Sequence, residues 1–157
     1  MINVPEDMLH DQEGMERFCQ YYMERLPLDC DGTMNHMLGF RIVDCEYAER
    51  TITVALRIDH WMANPNGNIH GGMIATVADT TMGLVSRYFS GGRMTPTIQM
   101  NVTYLAPGKI GNTLYCRAHV DKSGFTIASV VCGLWVDQRE DTPVATATAT
   151  YYVNRTN

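Results

Sequence analysis

The chain has 157 residues, of which 45% are hydrophobic and 18% charged, and its formal net charge is -5. This composition suits one globular domain with a substantial core, and the acidic balance argues against bulk attraction to nucleic acid, because phosphate binding needs a positive surface. No run approaches the roughly 18 apolar residues that a membrane span needs, and no basic segment followed by an apolar stretch opens the chain, so we expect neither a membrane helix nor a signal peptide.

The N-terminal part of the chain predicts a loose tail followed by one amphipathic helix. Apolar residues between Asp7 and Leu26 recur at helical spacing. Pro27 is expected to end this helix. We therefore divide the chain into an N-terminal tail and helix, residues 1–33, and a main domain, residues 34–157, on which the helix packs.

A hairpin and a buried helix are predicted next. Apolar and polar residues alternate in segments 37–46 and 51–59, which predicts two antiparallel strands with one solvated face. A polar, glycine-rich loop, residues 60–72, leads into residues 72–89, which are apolar on nearly every side. A helix of that kind belongs in a core.

The rest of the chain predicts four strands joined by short turns, which favour antiparallel pairing. In the last strand, Ala145, Ala147 and Ala149 share one face, where a helix can approach closely. The order of elements predicts an α+β architecture in which one curved antiparallel sheet wraps a long buried helix, with an extra N-terminal helix.

The five cysteines predict free thiols in a reducing, cytoplasmic setting. Their number is odd and no Cys-x-x-Cys pair occurs, which argues against a disulfide framework and against a zinc cluster. The histidines also lack metal-ligand spacing. We expect no metal.

The loop before the buried helix contains polar groups suited to carbonyl chemistry. Gly71 and Gly72 leave backbone N–H groups unobstructed at the positive end of a helix dipole, where they can hold a carbonyl oxygen that gains negative charge. Asn64 and His70 lie in the same loop, and either can polarise or orient a substrate carbonyl.

Asp79 places a carboxylate inside the same helix. A buried charge is costly unless it is paired, so this residue is either used in chemistry or bonded to neighbours such as Thr80, Thr81 and Ser86, and burial alone does not decide between the two. Asp79 lies about 12 Å beyond Gly71 at ~1.5 Å per helical residue. If both groups act on one substrate, they come from two chains related by a twofold axis.

Three segments in sequence resemble the PaaI-like branch of the hot-dog thioesterases, over about residues 35–153. They are the loop, the helix aspartate and the strand that follows: Asn64-Pro-Asn-Gly-Asn-Ile-His70-Gly71-Gly72, Asp79 and Thr97-Ile-Gln-Met-Asn-Val-Thr-Tyr-Leu-Ala-Pro. The resemblance implies a hot-dog fold, hydrolysis of an acyl- or aryl-CoA thioester to free acid and CoA, and a homodimer or a dimer of dimers. It implies no cofactor, since CoA is part of the substrate.

The resemblance also implies a role for each residue of the motif. Asp79 is the nucleophile or the general base that activates water. Gly72, with Gly71 beside it, supplies the oxyanion hole. Asn64 polarises the thioester or places the water, and His70 shapes the loop and contacts the carbonyl.

Thr97 matches a family position that commonly holds Ser or Thr near the carboxylate. By the alternation of its strand, it is expected to share a face with Gln99 and Asn101. Such a face is compatible with a polar site.

The groups that would bind the CoA moiety are less clear from the sequence. Relatives often carry a basic residue just after the glycine of a turn where the CoA phosphates approach, and here that position is Phe125. For each basic candidate, a solvated surface charge explains the residue at least as well as a contact with CoA does. The basic candidates are Arg93, Lys109 and Lys122, and Ser123 and Gly124 of the same turn as Lys122 are candidates beside them.

Two other functions fit the same scaffold. A non-catalytic acyl-CoA-binding or sensing module would keep the pocket without turnover, but Asp79 favours an enzyme, and residues 1–33 are too short and too acidic for a DNA-binding effector domain. A hot-dog dehydratase would need a histidine acting with a carboxylate in a different local pattern. The sequence leaves open whether the acyl group is aromatic, short or of medium length.

Overall fold

In the computed structural model, which describes residue 2 and residues 4–154, six strands form one antiparallel sheet against a long helix. The strand order is β1-β2-β4-β5-β6-β3, so β1 and β3 are the edges. The helices and strands occur in the predicted order. In sequence they are α1 Gln12–Asp29, α2 Met34–Met37, β1 Arg41–Glu46, β2 Thr51–Arg57, α3 Gly71–Phe89, β3 Thr97–Tyr104, β4 Thr113–Ser123, β5 Ile127–Val136 and β6 Ala145–Tyr152.

Helix α3 is the centre of the core. It contacts β2, β3, β4, β5 and β6, and its buried residues include Ile74, Val77, Ala78, Met82 and Val85, which recur every three or four positions. The prediction that residues 72–89 form a core helix is confirmed.

The alanine face of β6 lies on the helix side of the sheet. Ala145, Ala147 and Ala149 are buried, as predicted, and Tyr151 continues the same buried face. Small side chains let α3 approach this strand, and the last position of the face carries the one large side chain. This arrangement brings the Tyr151 ring to the middle of the helix.

Helix α1 packs on the body and runs past Pro27. The Asp11 carboxylate caps its start by accepting a hydrogen bond from Gly14 N–H at 2.7 Å. The prediction that Pro27 ends the helix is wrong, because the helix continues to Asp29. A proline removes only its own N–H bond and perturbs the preceding turn, and the Arg25 side chain donates to Asp29 across this turn at 2.9 Å.

The predicted hairpin differs from the observed one in two respects. Its first strand begins at Arg41, because Met34–Met37 form the short helix α2. Its second strand lacks the predicted solvated face, since every residue of β2 except the last is buried. Arg117 of β4 covers that face: its Nε donates to Thr53 Oγ1 at 3.1 Å, and its guanidinium lies 5.5 Å from the centre of the Trp135 ring.

Ser86 is fully buried in α3, and its hydroxyl has no hydrogen-bond partner in the part of the chain that the structure describes. An unpaired buried hydroxyl costs about 1–3 kcal/mol. We therefore expect Ser86→Ala to raise the free energy of unfolding by about 1 kcal/mol and Tm by about 2–4 °C. Thermal unfolding followed by circular dichroism measures both.

Thr81→Val is the matched control for that substitution. Thr81 is equally buried in α3, but its hydroxyl donates to the Val77 carbonyl at 2.8 Å. Removing a bonded hydroxyl is expected to bring no gain in Tm. A Ser86→Ala protein that melts below the wild type would contradict the prediction.

Candidate active site

The Asp79 carboxylate is held by two hydroxyl groups from neighbouring strands. Thr97 Oγ1 donates to Asp79 Oδ1 at 2.7 Å, and the Tyr151 hydroxyl donates to the same oxygen at 3.0 Å. The Tyr151 hydroxyl also lies 3.1 Å from the Asp79 backbone carbonyl oxygen. Burial raises the pKa of the Tyr151 phenol, and the neighbouring Asp79 charge raises it further, so the phenol stays protonated as a donor. Both bonds go to Oδ1, which leaves Oδ2 to meet a ligand.

The three neighbours considered from the sequence do not hold this carboxylate. Thr80 Oγ1 donates to Asn35 Oδ1 at 3.3 Å, Thr81 bonds the helix backbone, and Ser86 is unpaired in the described part of the chain. Positions one or two residues apart on a helix do not face each other, which explains why the hydroxyl groups of Thr80 and Thr81 do not reach the Asp79 carboxylate. Tyr151 was missed from the sequence, although the alternation of β6 already places it on the face of the buried alanines.

The position of Thr97 depends on an irregularity in β3. Thr97 pairs with Tyr151, whereas Gln99 pairs with Thr150, so the register shifts between them. Directly opposed residues project from the same face of a sheet, and Tyr151 lies on the helix side. The prediction that Thr97 shares a face with Gln99 and Asn101 is therefore wrong, because the bulge turns Thr97 toward α3.

The loop before α3 is ordered by the Asn64 side chain. Asn64 Oδ1 accepts hydrogen bonds from the backbone N–H groups of Asn66 at 3.0 Å and Asn68 at 3.2 Å. This local turn commits the side-chain oxygen to the loop. The amide nitrogen of Asn64 is then the atom that can donate to a bound carbonyl.

His70 caps the start of α3 and occupies one of the two predicted oxyanion donors. Its Nδ1 accepts the Gly72 N–H at 2.9 Å. The Gly71 N–H has no acceptor in the described part of the chain, while its carbonyl accepts from the Tyr104 hydroxyl at 3.0 Å. Gly71 thus presents a free N–H at the positive end of a 19-residue helix, whereas the Gly72 N–H is bonded to His70.

One chain keeps this donor and the carboxylate apart. Helix α3 is continuous from Gly71 to Phe89, so Asp79 lies about 12 Å along the axis from Gly71. A single thioester carbon with its attached oxygen cannot span that distance. The separation expected from the sequence is present in the folded chain.

A pocket of about 210 Å³ opens beside Asp79. Its lining includes Tyr22 from α1, Asn35 from α2 and Arg87 from α3, together with Thr97 and Tyr151. The N-terminal segment therefore contributes to the candidate site, whereas the sequence predicts only that it packs on the body.

The candidate CoA-binding residues fall into two groups. Arg93 and the turn of residues 122–124 lie at the C-terminal end of α3, where Ser123 Oγ is 3.2 Å from Ser90 Oγ and Arg93 donates to the Ser90 carbonyl at 3.1 Å. Lys109 lies beside the loop before α3, paired through the backbone with Asn68. Within one chain, these groups lie at opposite ends of the helix.

Two further properties concern metals and membranes. Across residue 2 and residues 4–154, no cluster of three or more His, Cys, Asp or Glu side chains is placed to hold a metal ion. Over the same residues, no helix is both long enough and apolar enough to cross a membrane. The five cysteines are free thiols.

A long helix wrapped by a six-stranded antiparallel sheet is the hot-dog fold. The thioesterase superfamily profile matches residues 66–142, from the loop before α3 through the end of β5. Mouse acyl-coenzyme A thioesterase 13 is 30% identical over 81 residues, which are 52% of this chain and 58% of the mouse protein. The chain thus spans little more than half the length of this relative.

Solved structures agree with that assignment over more of the chain. A Streptococcus mutans UA159 protein bound to acetyl-CoA is 30% identical, with a TM-score of 0.66 over 73% of this chain and 88% of that one. The PaaI protein of the Escherichia coli phenylacetic acid degradation operon shares the fold at 19% identity, with a TM-score of 0.74 over 87% of this chain and 93% of that one. The chain belongs to the thioesterase superfamily, as the sequence resemblance predicts.

Proposed function

We propose that the protein is a thioesterase that hydrolyses an acyl-CoA thioester to a free acid and CoA, with Asp79 as nucleophile or general base. The observation that carries this proposal is the Asp79 carboxylate itself, which lies beside a pocket with one oxygen fixed by two hydroxyl donors. Two relatives support the substrate class: the mouse protein is named an acyl-coenzyme A thioesterase, and the Streptococcus mutans structure holds acetyl-CoA.

The chemistry has two possible routes. Asp79 Oδ2 either attacks the thioester carbon to form an acyl-enzyme anhydride, which water then hydrolyses, or it takes a proton from a water molecule that attacks the same carbon. In both routes the C–S bond breaks and CoA leaves as a thiolate. The thiolate takes a proton from solvent after direct attack, or the proton that Asp79 removed from water in the other route. Thr97 and Tyr151 orient the carboxylate for either route.

The oxyanion in this proposal is held by the helix start of a second chain. Strand β3 is an edge of the sheet, and it exposes apolar side chains such as Ile98 and Tyr104. An exposed apolar edge strand is suited to pairing with another strand. A twofold axis that pairs β3 with its own copy reverses the direction of α3, which brings Gly71 of one chain toward Asp79 of the other.

The same dimer gives roles to the remaining loop residues. The Asn64 amide nitrogen would donate to the thioester carbonyl or to the attacking water, and His70 would control access to the Gly72 N–H. A twofold axis would also bring Lys109 of one chain closer to Arg93 and the 122–124 turn of the other, as one CoA site requires. We also propose that two such dimers pair into a dimer of dimers. The free cysteines support a reducing, cytoplasmic setting.

A substitution at Thr97 tests whether its hydroxyl orients the Asp79 carboxylate, and it leaves Asp79 itself unchanged. Thr97→Val removes the hydroxyl that bonds Asp79, and a hydrogen bond to a charged group contributes about 1.5–3 kcal/mol. We expect kcat to fall about tenfold or more with little change in KM, measured as thiol release from acyl-CoA. Thr97→Ser keeps the donor and is expected to stay close to the wild type. Equal losses in the two variants would contradict the role.

A further inference from the structure

The pocket beside Asp79 has a positive charge at its far end. Arg87 lies two turns further along α3, about 12 Å from Asp79 at 1.5 Å per residue, and both residues line the same pocket. Residues four positions apart share a helix face, so Asp79, Gly83 and Arg87 form one continuous row.

Gly83 keeps the middle of this row open. Helix interiors disfavour glycine relative to alanine, so a glycine there usually has a reason in packing. A Cβ added at Gly83 would meet only the Tyr151 ring at 3.7 Å, which is ordinary van der Waals contact. Since packing within the chain does not require the glycine, we attribute it to the space that a bound acyl group occupies.

Arg87 lacks an anionic partner in the described part of the chain. Its Nε donates to the Gly92 carbonyl at 3.1 Å, and its Nη2 donates to the Ile2 carbonyl. Both acceptors are neutral, and no carboxylate of the described residues lies within ion-pair distance. Arg87 is half-buried, and this partial desolvation of the charge lowers its pKa. A partly desolvated cation is stabilised by an anion, and a guanidinium binds a carboxylate well.

One part of the wall between the two ends of the pocket is polar, while Leu84 and Met94 line another part. Asn35 of α2 accepts a hydrogen bond from Thr80 Oγ1 at 3.3 Å. Burial raises the pKa of the Tyr22 phenol, and a hydrogen bond with Asn35 and the charge of Arg87 partly offset that rise. These groups lie together on one side of the pocket, which suits a short chain with a polar end better than a long apolar tail.

We infer that this pocket binds the acyl group of the proposed thioesterase reaction, and that it selects a short acyl chain ending in a carboxylate, with the thioester at Asp79 and the terminal carboxylate at Arg87. The substrate class is the monothioester of CoA with a short dicarboxylic acid. This inference depends on the proposed function for its reaction, and it depends on Arg87 and Gly83 for its selectivity.

The test compares adipoyl-CoA with hexanoyl-CoA, whose acyl chains have the same number of carbons and differ in the terminal carboxylate. We expect the wild type to prefer adipoyl-CoA by about tenfold or more in kcat/KM, as a charge-assisted hydrogen bond allows. Arg87→Gln keeps a polar side chain and removes the charge, and it is expected to bring the ratio of the two kcat/KM values close to one. If Arg87 only tied Ile2 and Gly92 to the body, the variant would slow both substrates equally and leave the ratio unchanged, which would overturn the inference.

Gly83→Val provides a second variant that leaves Arg87 in place. It fills the middle of the pocket, so we expect it to lower kcat/KM for both six-carbon substrates more than for acetyl-CoA. If Gly83→Val changed kcat/KM by the same factor relative to the wild type for all three substrates, the result would count against this pocket as the acyl site.

The outcomes separate this inference from the proposed function. Hydrolysis of both substrates by the wild type without a preference would overturn the inference and leave the thioesterase intact. If neither substrate is hydrolysed, turnover of a panel of aromatic and aliphatic acyl-CoAs decides the proposed function, and equilibrium binding of the same two compounds decides the inference. Equal affinities would overturn it, whereas tighter binding of adipoyl-CoA that is lost in Arg87→Gln would support it.

Discussion

Asp79→Asn is expected to lower kcat on acyl-CoA thioesters by about a hundredfold or more, on the scale of a lost acid–base group, while the fold is kept. Asparagine has nearly the size of aspartate, and its Oδ1 can still accept from Thr97 and Tyr151. It has no charge, so it neither attacks the thioester nor takes a proton from water. Thiol release from a panel of aromatic and aliphatic acyl-CoAs, with wild type and variant side by side, measures the effect.

Asp121→Asn is the control for loss of one carboxylate. Asp121 is an exposed residue of β4 whose side chain contacts His119 at 3.0 Å, and the variant is expected to behave as the wild type. Full activity of Asp79→Asn would refute the proposed role. Tight acyl-CoA binding by wild type and variant, with no turnover by either across the panel, would favour a non-catalytic acyl-CoA-binding module.

Solvent-oxygen labelling then separates the two chemical routes. In a single turnover in labelled water, direct attack by Asp79 leaves the label in the protein carboxylate when water cleaves the acyl-enzyme anhydride at its aspartyl carbon. Water activation places the label in the released acid alone. Mass spectrometry of the peptide that contains Asp79 reads the outcome.

Mixing two inactive variants is expected to restore activity if each site is shared between two chains. Gly71→Pro deletes the free N–H at the helix start, and loss of an oxyanion donor lowers kcat by about 10²–10³-fold. The backbone suits proline, because position 71 is the first residue of α3 and because His70, at φ −66° and ψ 138°, already has the conformation that precedes proline. A Cβ at this position would meet the Tyr104 ring at 3.3 Å, so the ring must move by a few tenths of an ångström. A mixed dimer of Gly71→Pro and Asp79→Asn contains one doubly altered site and one complete site.

Co-refolded chains should therefore regain about a quarter of wild-type activity, because half of the randomly formed dimers are mixed and each has one intact site. The control mixture combines Asp79→Asn with Thr97→Val, which alter the same half of the site, and it should not exceed the activity of Thr97→Val. Failure of the first mixture to regain activity, although sedimentation shows mixed dimers, would refute the shared site. Activity of a folded monomer would refute it as well.

Local sequence patterns predicted most of the architecture. Side-chain periodicity is a local property, so the alternation of β6 and the apolar surface of residues 72–89 each identified an element without knowledge of its neighbours. The loop from Asn64 to Gly72 and the carboxylate of Asp79 carried the resemblance to the hot-dog thioesterases. Pro27 shows a limit of such local rules, because one lost hydrogen bond was too weak to stop a helix that is packed on the body.

The sequence by itself identified the groups that we propose carry the chemistry, namely a helix aspartate and a glycine helix start some 12 Å apart. The tertiary structure alone decided what surrounds them. Tyr151 reaches Asp79 across 72 residues because β6 packs against α3. Thr97 lies beside Tyr151 because β3 and β6 are neighbours in the sheet. A bulge in β3 turned Thr97 toward the helix, and α1 and α2 each contribute a residue to the lining of the pocket. Each of these contacts depends on the order and register of distant strands or on packing between distant segments, which a local pattern does not encode.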